Sequence, residues 1–364
     1  MRSEKKDKYP VSAYFIVPAP EGISPGQRFR FEHYLKYMPE NNIRYKISAF
    51  YTLTGWKSLF VPGNYFKKTL IVIRGFLKRI IDLLRLVRYD YVFIYREAGP
   101  VGPPVIEWIV AKLFRKKIIY DFDDAIWIPA SSQYNKVARF VKNFGKVKVI
   151  CKWAHKVSVG NDYLMEYAAK YNKQVTVVPT VVDTEEVHNH LQNQQTYFPA
   201  IGWTGTFSTL KYLDIVLPAL QRLQQKFDFT FIVIADRDPQ LKLKNYRFIP
   251  WKKGSETADL LTMHIGLMPL YDDDLSKGKC GFKAIQYMAL GIPAIASPVG
   301  VNSIIVKDGI HGYICKDEKE WEEKITVLLK DVGLRKQFGV AARKRIQDHY
   351  SVHATKNMFI QLFT

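Results

Sequence analysis

The sequence has few cysteines and lacks a long apolar run. Its three cysteines, Cys151, Cys280 and Cys315, are scattered through 364 residues without the spacing of metal ligands. An odd and scattered set of this kind indicates reduced thiols and argues against a zinc site. Because no uninterrupted run of about 18 apolar residues occurs, a membrane-spanning helix is not expected. The basic N-terminus leads into a strand without a signal-peptide apolar region, which predicts a cytoplasmic protein.

Acidic side chains are also scarce relative to basic ones. The chain has 54 Lys and Arg residues against 34 Asp and Glu, which gives a net charge of +20. Residues 1–200 carry a net charge of +14 and residues 201–364 a net charge of +6, so the excess lies in the first half. The content of 48% apolar and 24% charged residues is that of a globular protein. At this length, two domains are expected.

Residues 65–88 form a basic cluster. Seven basic residues and one acid, Asp82, alternate there with large apolar residues; the basic ones are Lys67, Lys68, Arg74, Lys78, Arg79, Arg85 and Arg88. This pattern predicts a basic amphipathic helix, which suits an anionic membrane surface. A second basic patch at residues 112–117 favours the same interpretation. The alternatives are a core-packed helix with a solvated basic face and a nucleic-acid surface. No recognisable nucleic-acid module is present, so nucleic acid is not an expected partner.

Buried-strand patterns and helical patterns alternate along the chain, which predicts an α/β fold with parallel sheets covered on both faces. The pattern stops at the polar stretch 187–198 and then restarts, so we predict two Rossmann-like, doubly wound domains. Their predicted bounds are 1–186 and 199–349, with 187–198 as a linker and 350–364 as a helix that crosses back to the first domain. Ligands bind outside the carboxyl ends of the strands in such sheets, so an interdomain cleft is the expected site.

The stretch from Gly278 to Pro293 predicts a loop that enters a helix and ends at a glycine. Lys279, Lys283 and Gln286 share one face of that helix by their spacing. A glycine-rich entry exposes backbone N–H groups at the positive end of the helix, and lysines lie beside it, so an anionic ligand such as phosphate is favoured. An ordinary amphipathic helix with solvated lysines is the alternative.

A second glycine turn, 202–211, follows the first predicted strand of the second domain. Gly205 and Thr206 lie in the turn, and Lys211 follows in the helix that it opens. A glycine here lets the backbone approach a phosphate, and Lys211 adds positive charge. Tight glycine turns are common in α/β folds, so this signal gains weight from the other motif in the same domain.

In the first domain, acidic residues 121–124 come directly after an apolar strand. Carboxylates at a strand end bind sugar hydroxyls, hold a divalent metal or take a proton, and helix capping is the alternative. Asp121 and Asp123 are therefore candidate catalytic residues. In the first strand–helix loop, Gly26, Arg28 and Arg30 are candidates for contact with an acceptor or a phosphate. A second acidic cluster, 272–274, is interpreted as a solvated turn, and His264 as structural.

Together these motifs resemble the signature of glycosyltransferase family 4, whose members are retaining enzymes of the GT-B fold. The resemblance rests on 278–293 with 296–302, and shorter segments agree at 28–30, 120–127, 157–161, 178–183 and 202–206. It implies a nucleotide-activated sugar donor on the second domain and an acceptor on the first. The residues implied at the donor are Gly205, Thr206, Lys211, Trp251, Lys279, Cys280, Gly281, Phe282, Lys283 and Gln286. Lys283 is also a candidate catalytic residue.

Two positions depart from the family. Its signature has two glutamates, and Gly278 and Gln286 occupy their places here. By the resemblance, Gln286 reaches the ribose and Trp251 borders the base. An amide still accepts and donates hydrogen bonds to ribose hydroxyls. The loss at Gly278 matters more, because that family carboxylate approaches the donor sugar.

The sequence thus predicts a transferase that moves a sugar from a UDP- or GDP-sugar to a glycan or lipid-linked acceptor, with retention, in surface polysaccharide or glycolipid synthesis. No cofactor beyond the donor and no metal are expected, and the inner face of the cytoplasmic membrane is the expected location. The alternatives are a metal-dependent GT-A-type transferase, because residues 121–123 match its carboxylate–any–carboxylate motif, a non-hydrolysing epimerase, and a non-catalytic nucleotide-sugar or glycan-binding subunit.

Overall fold

The structure, a computed structural model, describes residues 10–129 and 142–364. The chain divides into two compact units, Met1–Pro179 with Lys356–Thr364, and Thr180–Thr355. The sequence pattern also predicts a helix over residues 134–153, and part of this range lies outside the described residues. Within them, none of the helices is long and apolar enough to cross a membrane.

The first unit is built on a six-stranded parallel sheet. Its strands are β1 (Val11–Val17), β2 (Ile43–Ala49), β3 (Tyr91–Tyr95), β4 (Lys117–Phe122), β5 (Lys156–Val159) and β6 (Val175–Val177). Their order in the sheet is β2-β1-β3-β4-β5-β6. β1 and β3 are nearly continuous apolar runs because both of their faces are buried. The strand order reverses between β1 and β3, which places the loops after these two strands side by side.

The second unit repeats this architecture. Its strands are β7 (Ala200–Thr204), β8 (Thr230–Ala235), β9 (Tyr246–Pro250), β10 (Ile265–Met268), β11 (Ala294–Ala296) and β12 (Gly312–Ile314). They lie in the order β12-β11-β10-β7-β8-β9, and all pairs are parallel. The order reverses between β7 and β10, so the glycine turn after β7 lies at the reversal point. The predicted fold class is confirmed.

Helices surround both sheets. In the first unit they are Pro25–Arg30, Tyr37–Glu40, Leu53–Leu59, Tyr65–Leu86, Val105–Trp108, Lys146–Trp153 and Asp162–Ala169, with a 3-10 turn at Glu32–Tyr34 and a π-helical turn at Ile109–Leu113. In the second unit they are Leu217–Leu223, Glu256–Leu260, Asp274–Lys277, Phe282–Ala289, Asn302–Ile305, Glu318–Lys330 and Val332–His349, with 3-10 turns at Phe207–Ile215 and Lys253–Ser255. The helix Val352–Ile360 and a last 3-10 turn, Gln361–Phe363, end the chain.

The long basic helix Tyr65–Leu86 is anchored by one buried ion pair. Arg79 is fully buried and donates to the Asp82 carboxylate at 2.8 Å. The same guanidinium donates to the carbonyls of Val17 at 2.8 Å, Ala98 at 2.8 Å and Ser48 at 3.1 Å, at the ends of β1 and β2 and beyond β3. Arg79 is thus no part of the exposed basic face, and it fixes which side of the helix remains in solvent.

The chain segments near the predicted domain borders have clear contacts. In the stretch 187–198, the Gln192 N–H donates to the Leu290 carbonyl at 2.8 Å, and the Gln194 amide donates to Gly291 at 3.2 Å, both within the second unit. The end of the chain packs in the first unit, where the rings of Phe359 and Tyr34 stack at 4.6 Å.

Candidate functional site

The helix Phe282–Ala289 begins where only glycine fits. Gly281 precedes it with φ of 68°, a left-handed conformation, and a Cβ there would lie 2.1 Å from the Ile305 side chain. The inner face of the helix is held by Tyr287, whose hydroxyl accepts the backbone N–H of Thr204 at 2.9 Å. This bond ties the helix to the end of β7, so the helix is held beside the glycine turn.

Three lysines converge on two aromatic rings in this region. Lys283 places its ammonium 5.4 Å from the Trp203 ring centre. Lys279 and Lys211 lie 5.8 Å and 5.3 Å from the ring centre of Tyr212. The structure therefore brings together the lysines that the sequence placed in two separate motifs. Three positive charges beside a glycine-entered helix start form a strongly favourable setting for a polyanion.

The turn after β7 is equally constrained. The Gly205 N–H donates to the Ile234 carbonyl at 3.0 Å, and a Cβ on Gly205 would lie 2.3 Å from the Trp203 ring. At Thr206, the backbone N–H donates to the Thr209 hydroxyl at 3.1 Å, and Thr206 opens the 3-10 turn Phe207–Ile215. The turn is thus a rigid platform beside Lys283.

A buried carboxylate lies next to Gln286. Glu256, 7% exposed, accepts a hydrogen bond from the Gln286 amide at 3.3 Å and a second one from the Trp251 indole N–H at 3.3 Å, both on Oε1. The predicted base-bordering residue and the predicted ribose residue are therefore linked through a third residue that the sequence reasoning missed. Its signal was weak, because a glutamate at the first residue of a helix is common.

In the first unit, two of the predicted site residues bind each other. Arg30 Nη2 lies 2.5 Å from Asp121 Oδ1, and Arg30 Nε donates to Oδ2 at 3.2 Å. Arg30 also donates to the carbonyl of Val178 and, at 3.3 Å, to the hydroxyl of Ser158. Both partners are buried, and burial raises the pKa of Asp121, although Arg30 opposes the shift. This pair joins the first helix to β4 and β5.

Asp123 lies closer to solvent, with 12% of its side chain exposed. It accepts hydrogen bonds from the Tyr95 hydroxyl at 2.9 Å and from Arg96 Nη2 at 2.7 Å. Burial acts to raise the pKa of Asp123, but Arg96 and Arg30 outweigh it and lower the pKa below its usual value. The carboxylate is therefore ionised at neutral pH. Gly26 packs against this group, and a Cβ there would lie 2.5 Å from the Tyr95 hydroxyl.

Arg96 was not predicted as a site residue. It directly follows β3, at the strand-order reversal of the first sheet, and its φ is 61°, which is unusual for a residue with a side chain. The Arg96 N–H donates to the Asp121 carbonyl at 2.8 Å, and its carbonyl accepts the Tyr120 hydroxyl at 2.8 Å. Strained backbone of this kind concentrates at functional sites. The available signal was an arginine immediately after a buried strand.

The remaining predicted residues have these positions. Arg28 is 8% exposed, with its guanidinium 4.7 Å from the Phe29 ring centre, and Cys280 is also 8% exposed. In the acidic cluster 272–274, Asp273 caps the helix Asp274–Lys277 by accepting the Ser276 N–H at 2.7 Å. In the ranges 10–129 and 142–364, no group of three or more His, Cys, Asp and Glu side chains is arranged to hold a metal ion.

Comparison with known proteins gives three findings. The family model described as Glycosyl transferases group 1 matches residues 198–331. A search of the curated proteins finds no match. Solved structures of similar fold cover nearly the whole chain, at low sequence identity.

Three of these structures are informative. Sucrose-phosphate synthase from Thermosynechococcus elongatus has a TM-score of 0.69 and 13% identity, over 97% of this chain and 98% of that one. HepE from Anabaena, in complex with UDP-glucose, has a TM-score of 0.63 and 14% identity, over 96% and 98%. WaaG, a glycosyltransferase involved in lipopolysaccharide biosynthesis, has a TM-score of 0.63 and 12% identity, over 97% and 100%. The chain therefore has the GT-B fold of these glycosyltransferases, and residues 198–331 of its second unit match the model of glycosyl transferases group 1.

Proposed function

We propose that the protein is a glycosyltransferase, which moves a sugar from a UDP- or GDP-sugar to a glycan or lipid-linked acceptor with retention of the anomeric configuration. The observation that carries the proposal is the convergence of Lys211, Lys279 and Lys283 beside the glycine-entered helix Phe282–Ala289. A nucleoside diphosphate fits this group by charge. The complex of HepE with UDP-glucose, a protein of the same fold, supports the donor class.

The chemistry follows from where negative charge develops. Breaking the bond between the sugar and the phosphate leaves charge on the departing diphosphate. The lysines and the N–H groups at the helix start stabilise that charge without reorganising, which lowers the barrier. In this mechanism the cations are supplied by the chain itself, so turnover needs no divalent metal.

Within the first unit, we assign the two aspartates different roles. Asp123 is ionised and partly exposed, so it is the carboxylate that meets the sugar or acceptor hydroxyl. Asp121 is enclosed by Arg30 and acts as a positioning residue. Gly26 and Arg28 both lie in the helix Pro25–Arg30, where Gly26 packs against Tyr95 and Asp123, and we assign them to the acceptor side.

The outer face of the basic helix Tyr65–Leu86 favours an acceptor at a membrane surface. Large apolar side chains are exposed along it, including Phe66 at 76% and Leu84 at 73%, beside exposed Lys67, Arg74 and Arg85. Apolar groups flanked by cations suit a bilayer with anionic headgroups. We infer that the enzyme acts peripherally on the inner face of the cytoplasmic membrane, in surface polysaccharide or glycolipid synthesis. WaaG, whose fold is similar, acts in lipopolysaccharide biosynthesis.

The test is turnover of a panel of UDP- and GDP-sugars with glycan and lipid-linked acceptors, assayed by product mass. We expect one donor to be consumed at the same rate with and without EDTA, and the Lys283→Ala variant to lose about a hundredfold or more in kcat. Loss of turnover in EDTA would favour a metal-dependent transferase. Donor binding without hydrolysis or transfer across the panel would identify a non-catalytic binding subunit.

A further inference from the structure

We propose that Glu256 supplies the carboxylate that reads the donor ribose, in place of the glutamate that is absent at Gln286. This inference rests on the proposed nucleotide-sugar donor and names one further residue of its site. The carboxylate comes from the neighbouring helix Glu256–Leu260, while Gln286 keeps the position on the helix Phe282–Ala289.

The side chain of Glu256 forms hydrogen bonds with two other side chains. Glu256 Oε1 accepts the Gln286 amide N–H and the Trp251 indole N–H, each at 3.3 Å. Gln286 is 2% exposed and Glu256 is 7% exposed, so both polar groups have been withdrawn from water. Burying a carboxylate is unfavourable unless its partners compensate for the lost hydration. Trp251 lies five residues before Glu256, in the connection between β9 and the helix, and Gln286 is 30 residues away along the chain.

The carboxylate also fixes the orientation of the amide. Glu256 accepts only, so the NH₂ group of Gln286 faces it, and the amide carbonyl is directed elsewhere. A ribose presents two hydroxyls that donate hydrogen bonds, and carboxylates are the usual protein groups that receive them. The pair thus offers a carboxylate and a carbonyl as acceptors at one place. Trp251, which holds the same carboxylate, is the residue expected beside the base.

A role for Glu256 confined to its own helix explains fewer of its contacts. A glutamate in the first turn of a helix interacts favourably with the helix dipole. That role requires neither the burial of Glu256 nor its hydrogen bond to the amide of Gln286 on another helix. The spatial link between the base-bordering residue, the ribose residue and Glu256 is what a shared nucleoside site requires.

The experiment compares binding of ribonucleotides and deoxyribonucleotides by calorimetry. UDP, GDP and their 2′-deoxy forms are titrated into the full chain, and the nucleotide that binds is used for the variants. We expect the wild type to prefer the ribo form by about tenfold or more. The isosteric Glu256→Gln variant should weaken ribonucleotide binding about tenfold and reduce the preference to about twofold. Asp259→Asn, on the same helix, is the matched control and should change neither value.

An exchange of the two side chains makes the test specific. Gln286→Glu alone places two carboxylates side by side and should weaken binding about tenfold. The double variant Glu256→Gln with Gln286→Glu restores one carboxylate and one amide, so it should recover binding to within about threefold of the wild type. If Glu256→Gln fails to fold, Glu256→Asp, which shortens the carboxylate's reach, carries the same comparison.

The outcomes separate the two proposals. If no UDP or GDP form binds the wild type, both the proposed donor and this inference fail. If the wild type binds and discriminates, but Glu256→Gln discriminates equally well and the double variant recovers nothing, the donor proposal stands and the role of Glu256 is overturned.

Discussion

Arg30 and Asp121 form a two-point ion pair in the interior of the first unit. Arg30 Nη2 lies 2.5 Å from Asp121 Oδ1, although the two residues are 91 positions apart. The sequence marks both as site residues for separate reasons, one from a loop and one from a strand end. Their mutual contact shows that the buried Asp121 carboxylate, near the end of β4, is neutralised by an arginine of the first helix.

Replacing Asp121 should chiefly affect stability. Asp121→Asn leaves the Arg30 charge without its buried partner, so we expect a loss of about 3–5 kcal/mol in the free energy of unfolding of the first unit. Urea denaturation of the wild type and the variant measures this. Asp228→Asn, at an exposed turn in the second unit, is the control. A loss below about 1 kcal/mol together with abolished turnover would instead place Asp121 in the chemistry.

Gly26 is expected to be intolerant of any side chain. A Cβ there would lie 2.5 Å from the Tyr95 hydroxyl, which donates to Asp123. Gly26→Ala should displace that hydroxyl and lower turnover about tenfold or more, with a small change in melting temperature. Gly63→Ala is the comparison: its φ is 76°, and an added Cβ would meet no other atom of the described residues within 4 Å, so this variant tests backbone strain alone. Unchanged turnover in Gly26→Ala would show that the Tyr95 contact is dispensable.

His264 should make the second unit less stable in mild acid. Burial, together with Arg335, lowers the pKa of His264 to about 4, and its Nδ1 accepts the Ala200 N–H at 3.0 Å. Because the folded-state pKa is depressed below about 6.5, the unfolded chain binds the proton more readily between these values. Stability is therefore full above pH 6.5 and falls as the pH decreases toward 4. Since the ring is partly exposed, we expect a loss of about 1–2 kcal/mol.

The measurement for His264 is the urea midpoint as a function of pH. The slope between pH 6.5 and 4 should be shallower in His264→Gln, whose amide oxygen accepts the same N–H. His353→Gln, at an exposed histidine, is the control. An identical pH dependence in wild type and His264→Gln would contradict the assignment.

Membrane binding should depend on the outer face of the helix Tyr65–Leu86. Vesicles containing anionic lipid should bind the protein, and binding should weaken as salt is added. Replacing the exposed Lys67, Arg74 and Arg85 by Gln removes three cations, which at about 1 kcal/mol each lowers the partition coefficient about a hundredfold. Cosedimentation measures this. Gln at Lys170 and Lys173, elsewhere on the first unit, is the control; equal losses in both variants would indicate a non-specific charge effect.

Strands such as β3 were predictable from the sequence because buried parallel strands are continuous apolar runs. The sequence pattern predicts one continuous helix over residues 209–226 after the glycine turn, and this prediction was wrong in detail. The structure has a 3-10 turn at Phe207–Ile215 and then the helix Leu217–Leu223, with Pro218 in its first turn. Proline fits the start of a helix and not its interior, so Pro218 was the missed signal.

Side-chain partners were less predictable, because they come from remote segments. Arg79 matches the basic pattern of its helix, yet its acceptors lie at Val17, Ser48 and Ala98. Glu256 resembles an ordinary first-turn glutamate until Gln286 is placed beside it. The lysines of the proposed donor site could be selected from the sequence because glycine and helix signals lie next to them. Periodicity identifies a face, but tertiary contacts decide what the face meets.

The decisive measurement is the binding of nucleotide sugars by the full chain, measured by calorimetry and by thermal shift. One UDP- or GDP-sugar should bind, and at about 100 times its Kd it should stabilise the protein by about 2.7 kcal/mol. Lys283→Ala should weaken that binding about tenfold or more, while Lys319→Ala, at an exposed lysine of the same unit, should not. Absence of binding by every nucleotide sugar, or equal binding by Lys283→Ala and the wild type, would contradict a donor diphosphate site at the start of the helix Phe282–Ala289.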